Sequence, residues 1–459
     1  MQHVLFELLE NAGLLKGTSI NIDKIARAKR SELIDIAQQS AELTSTSSVA
    51  NVGSIFSHTA SLSLGGSPTP CRGQECRMKM VRELIQFAAF YSDRVFINNN
   101  LSRFADVYSD SPLDEARCGL HDELEIMATM RPLIEEGLIV PVTPTTGLCY
   151  HCLGKRAMPD SERRRFDRAL RRFTKRYAVE TKVSLECDTD GCFGLHTVGD
   201  SELVEHGSAH RYSDRLKTLV ESEPQLASRL KNKREIILPK ALRKKWEVDD
   251  DMAHELFDDV GFEMAISQCL KTSIVTSRPI HVEILNDFVR NAELNRRNFL
   301  IQQHLTCILP FLNNISAHEV LELRNGEADS FICFRQAFAK AVDEHIKAKS
   351  GNLTEQDAEA IFREVIEPEL ARLNRKVASA SKSVFRKSRA GIVGWAAAIS
   401  AGFYFGFVES SLVAAAKALG LTKVAADLTA GLLESKGEDV IRDENMYFLW
   451  KVRHRAERG

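Results

Sequence analysis

A chain of 459 residues exceeds the size at which a single hydrophobic core stops growing, so two or three structural units are expected. Hydrophobic residues at 44% and charged residues at 27% exclude a wholly disordered chain and a polytopic membrane protein. With 61 basic and 63 acidic side chains and a formal net charge of -2, any contact with nucleic acid has to come from a local patch.

Residues 1–14 carry Glu7 and Glu10 inside an apolar stretch and lack a basic n-region, which argues against a secretory signal and for a cytoplasmic chain. Val4, Leu5, Leu8, Leu9 and Leu14, then Ile25, Ala26, Leu33, Ile34 and Ile36, recur near helical spacing and predict a two-helix head over 1–44. The stretch 45–76 is rich in Ser, Thr and Gly, has no charge before Arg72, and reads as a flexible linker. Met80, Val81, Leu84, Ile85, Phe87, Ala88 and Tyr91 mark a helix that runs into a β-prone segment at 94–97. A second such unit follows, with apolar positions from Leu120 to Ile134, a break at Gly137 and a strand over 138–142. Two helix-then-strand units predict a small α/β module over 77–200.

Ten cysteines are too few for a disulfide scaffold at this length, so clustered pairs point to metal. Cys149 and Cys152 have the spacing of a zinc knuckle, and Cys187 and Cys192 flank the turn residue Gly191. Together they are candidate ligands of a closed, structural zinc, with ordinary thiols as the alternative. His151 and His196 could substitute for a thiolate. Cys71 and Cys76 form a third, unpaired couple, and Cys118, Cys269, Cys307 and Cys333 are isolated, three of them within apolar helical patterns, and read as small core hydrophobes.

Between the zinc pairs, Phe166, Leu170, Phe173 and Tyr177 predict one apolar helix face. Arg163, Arg164, Arg168, Arg171, Arg172, Lys175 and Arg176 lie mostly outside that face, as candidates for binding nucleic acid or an acidic partner, or as a merely solvated surface. A later basic run, from Arg229 to Lys245, is followed at once by acidic residues that can neutralise it. Helices are expected near 252–271, 280–313, 317–346 and 354–385, making 201–389 a helical domain.

The uncharged run 390–408 and the Ala-rich segment to 433 predict an apolar hairpin within 390–459, either buried or in contact with a membrane. No Walker loop, dinucleotide fingerprint, nucleophile elbow or HExxH is present, so an enzyme is not the favoured class. His121-Asp122-Glu123 and the pair His206 and His210 are the nearest polar constellations, each in a stretch readable as exposed helix. The expected fold is mainly α with a small α/β zinc-knuckle module and a C-terminal helical half ending in an Ala/Gly-rich hairpin. The expected function is a zinc-stabilised accessory protein that engages a protein partner or nucleic acid. The alternatives are a membrane-acting effector of toxin or defence type using 390–433, and an enzyme whose site is scattered through the sequence, its small-molecule ligand unknown.

Overall fold

The computed structural model describes residues 3–45, 56–67, 73–102, 112–143, 160–187, 193–199, 209–210, 214–233, 235–288, 292–303, 317–348, 360–373, 375–376 and 441–456. These residues are mostly helical, with three small sheets, and divide into two compact units, Met1–Gln302 and Gln303–Gly459.

The first unit opens with α1 (Val4–Asn11), the short hairpin β1 (Leu15–Lys16) and β2 (Ser19–Ile20), α2 (Ile22–Arg27) and α3 (Arg30–Leu43). Then come β3 (Ser57–Ala60), α4 (Gln74–Phe90), β4 (Arg94–Asn98), α5 (Leu113–Glu135) and β5 (Ile139–Val142). A second run holds α6 (Asp160–Glu180), β6 (Thr181–Cys187), β7 (Phe193–Gly199), β8 (Ala209–His210), α7 (Asp214–Glu221), α8 (Pro224–Asn232), β9 (Glu235–Ile237) and α9 (Lys240–Lys245). It is closed by α10 (Val248–Leu270), β10 (Ser273–Val275), α11 (Pro279–Phe288) and α12 (Ala292–Gln303).

β10, β3, β4 and β5 form one parallel sheet in that order. The chain leaves β3 through α4 towards β4 and β5, whereas β10 returns from far along the sequence to the opposite side of β3. The strand order therefore reverses between β3 and β10, the switch point of an open α/β sheet. A linker over 45–76 does not hold at its centre, because β3 and the turn after it, through Ser67, are buried. A strand covered on both faces has no place for charge, so the missing charges that suggest a linker are equally the mark of burial.

β8, β7, β6 and β9 form a separate antiparallel sheet. Between the two sheets lies α10, buried on most sides. Met252, Phe257 and Val260 pack with Phe166 and Phe173 of α6 and with Val183 and Leu185 of β6. One and two turns on, Phe262, Ala265 and Ile266 cover Phe96 and Val142 of the parallel sheet. A helix apolar nearly all round is what a central position requires. It ends at Lys271, whose φ of 53° places a non-glycine residue in the left-handed cap.

The second unit contains α13 (Ala317–Gly326), α14 (Ala328–Ala348), a π-helical turn (Phe362–Ile366) and α15 (Tyr447–Ala456). Phe331 and Phe334 of α14 meet Phe448 of α15 with ring centroids 5.1 and 5.8 Å apart. Glu327, between α13 and α14, accepts from Lys451 at 2.7 Å and Arg442 at 3.1 Å, and these partners hold its carboxyl below the usual range against the opposing effect of burial.

Candidate functional site

Polar side chains concentrate where the parallel strands end. The turn after β3, residues 61–67, is held by its own backbone. Gly65 N–H donates to Ser61 O, Gly66 N–H to Ser63 O and Ser67 N–H to Leu62 O, at 2.9 to 3.0 Å. Those amides are spent, so this turn is not an open cradle for phosphate. At Gly66 φ is 78°, and a Cβ there would lie 2.8 Å from Val81 Cγ2 of α4 and 3.1 Å from Ile126 Cγ2 of α5. Only glycine lets the turn sit this close to both helices.

On the α4 and α5 side, Arg77 Nε donates to Gly66 O at 2.9 Å, and its Nη2 is ion-paired with Glu123 Oε1. Asn100 Nδ2 donates to Gly65 O at 3.4 Å, and Asn98 Nδ2 to Asn100 Oδ1 at 3.4 Å. Asn98, Asn100, Arg77 and Glu123 are all buried. Burial pushes the Glu123 carboxyl up to about 7, outweighing the attraction of Arg77 and the contact from Asn100. Glu123 Oε2 and Asn98 Oδ1 have no hydrogen-bond partner among the described residues. Two buried acceptors at one sheet edge are therefore open to a donor.

On the other side, Leu62 N–H donates to Glu263 Oε1 of α10 at 2.8 Å. Glu263 Oε2 lies 3.3 Å from His281 Nδ1, both side chains being 1% exposed. Arg278 Nη1, which can only donate, is 3.0 Å from His281 Nε2. Glu263 Oε2 and His281 Nδ1, although close, are not aligned for a hydrogen bond with each other, and neither has a hydrogen-bond partner among the described residues. Leu62, Glu263, His281 and Arg278 thus lie together as a buried polar cluster beside the β3/β10 switch point, hydrogen-bonded from Leu62 to Glu263 and from Arg278 to His281 but not between the two pairs.

Of the residues singled out in the sequence, Cys187 ends β6, half-buried with Val183 and Leu185 on the core side of the strand. Cys149, Cys152 and Cys192 lie outside the described residues, as do Cys71, Cys307, His151, His206 and the whole of 390–433. No helix among the described residues is long and apolar enough to cross a membrane. Cys118, Cys269 and Cys333 are exposed, correcting their reading as core thiols. The exposed-helix reading of 121–123 also breaks. His121 and Asp122 stay at the surface beside Glu125, while the 100° helical step carries Glu123 inward.

α6 carries the basic residues as the spacing predicts. Arg163, Arg164, Arg168, Arg171, Arg172 and Lys175 are exposed, as is Arg165. Arg176 is different, donating to Glu180 at 3.0 Å and to Glu283 at 2.8 Å. Partial burial lowers its pKa, but these two carboxylates more than reverse the effect. On β6, β7 and β9, Glu186, His196 and Glu235 bring their polar atoms within 4.8 Å of one another, a cluster that only cross-strand pairing assembles. Glu263 and His281, the two groups the sequence reading missed, carry no local signal, since Glu263 is 201 positions from the amide it receives.

No protein-family model, no curated protein and no solved structure matches this chain.

Proposed function

We propose that the first unit binds a small polar ligand at the carboxyl edge of its parallel sheet, beside the turn that follows β3 and the end of β4. The observation that carries this is the pair of buried acceptors, Asn98 Oδ1 and Glu123 Oε2, that have no hydrogen-bond partner among the described residues. A fold leaves such atoms unsatisfied at a cost, and a ligand's hydroxyl or amine donors would remove that cost. Open α/β sheets take their ligands outside the carboxyl ends of their strands, the edge on which Asn98 lies. The spent amides of 61–67 and the carboxylates Glu123 and Glu263 favour the donor-bearing part of a ligand over an anionic group there.

Glu123, with a carboxyl near 7, is suited to give or take a proton at neutral pH, so turnover of the ligand is within the chemistry of the site. A thermal-shift screen of the full chain with polyols, nucleosides, amino sugars and amino acids tests the reading. Stabilisation by one class, lost in Asn98→Leu with the fold retained by circular dichroism, is the expected result. A screen in which no class raises the Tm, or in which Asn98→Leu responds as wild type does, removes it.

A further inference from the structure

We infer that the outer face of α6 docks on the phosphate backbone of a nucleic-acid duplex, a role separate from the sheet-edge site. Between Arg163 and Lys175 seven exposed cations face one exposed carboxylate, Asp167. Thirteen helical residues span about 18 Å, enough to follow several successive phosphates of a duplex strand. Six of the seven cations are arginines, whose planar fork pairs with phosphate oxygens two at a time.

The stripe is built at the expense of the helix itself. Arg164 and Arg168, Arg168 and Arg172, and Arg171 and Lys175 are like-charged pairs one turn apart, each unfavourable in an isolated helix. One turn further on the protein neutralises Arg176 with Glu180 and Glu283, and Arg172 reaches Glu283 only at 3.8 Å. The charges of Arg164, Arg168, Arg171 and Lys175 thus stand together where the helix faces water, and an external polyanion would relieve their mutual repulsion. The mount is rigid. Phe166 and Phe173 stand edge-on to Phe257 of α10 at 5.1 and 5.3 Å.

The partner's class follows from what the face lacks. Every aromatic ring of α6 is turned inward, so no platform exists for stacking unpaired bases. The apolar stripe is likewise covered by α10 and β6, so the helix has no buried-face area to offer a bilayer. A continuous line of cations without side chains to read bases fits the backbone of a duplex, bound without sequence preference.

Fluorescence anisotropy on the full-length protein with labelled duplexes of about 25 base pairs, as DNA and as RNA, between about 50 and about 200 mM salt tests this. Unrelated sequences are expected to bind alike, with a log–log salt slope of about -4 to -6. The combined Arg164→Glu, Arg168→Glu and Arg171→Glu variant is expected to lose more than tenfold in affinity, with the slope reduced by about 3. Lysine at the same three positions is expected to keep most of the binding. Equal binding of DNA and RNA supports the shared phosphate chemistry, and a preference for one identifies the source. Unchanged binding by the glutamate variant overturns the inference. So does competition by poly-glutamate or anionic vesicles as effective as competition by unlabelled duplex.

Discussion

Glu123 sits where burial opposes ionisation and Arg77 favours it, and burial prevails. With the folded carboxyl at about 7 and the ordinary value at 4.5, the folded protein binds the extra proton throughout that window. The sign follows from linkage: a raised carboxyl makes the folded state lose stability as pH climbs from 4.5 to about 7, and this group contributes no further change above or below that window. In Glu123→Gln that slope is expected to vanish, checked by urea unfolding at intervals across the window. A wild-type slope that persists in the variant places the proton elsewhere. Arg77→Met is expected to push the Glu123 carboxyl higher still, so that it stays protonated at neutral pH, and to leave Gly66 O without its donor, at a cost of about 1 to 3 kcal/mol. The pH at which the stability slope ends is expected to move up in that variant, which urea unfolding over the same pH series would show.

The elements show which physical signals reach the sequence. α4 with β4 and α5 with β5 are legible, since period 3.6 gives way to a short β-prone run at Arg94 and again after Gly137. α6 is legible for the same reason, its apolar positions falling on one stripe. β3 is not, because Ser57, His58, Thr59 and Ala60 show neither alternation nor bulk, and their strand character comes from being sandwiched between β10 and β4. β10 is three residues long and pairs with a strand more than two hundred positions away, beyond any local pattern. The Gly65-Gly66 pair reads as linker composition but is a packing requirement. Gly66→Ala is expected to destabilise the first unit by about 2 to 4 kcal/mol, combining the left-handed backbone with a 2.8 Å clash at Val81. Val81→Ala in the same chain is expected to recover part of that loss by opening the space, as chemical denaturation of the two variants would show. No recovery would assign the whole penalty to the backbone conformation.

At the scale of the molecule, the long-range pairing of β10 with β3 decides what can fold. The segment from 143 to 247 enters the first unit as an insertion between β5 and α10, yet it is not an appendage. Its aromatic residues Phe166 and Phe173 share a core with Met252 and Phe257 on the same helix that covers the parallel sheet. Deleting the insertion would strip one end of α10 of its apolar cover while leaving the other end to hold the sheet edge and Glu263. Both hydrophobic clusters are complete by Leu285, and α12 is tied back to the amino edge of the sheet by Asn298, whose Nδ2 donates to Ser273 Oγ at 2.8 Å and Ile274 O at 3.1 Å. A chain of residues 1–303 is therefore expected to fold cooperatively by itself, with one unfolding transition common to far-ultraviolet circular dichroism and tryptophan fluorescence from the buried Trp246. The same chain ended at 271 lacks β10, α11 and α12, leaves β3 as an uncovered sheet edge and removes His281 from Glu263. Its apolar Leu62 and Phe262 surfaces would stay joined, but with the switch point gone it is expected to lose cooperativity, and a sharp single transition in the truncated chain would show that β10 is dispensable to the fold.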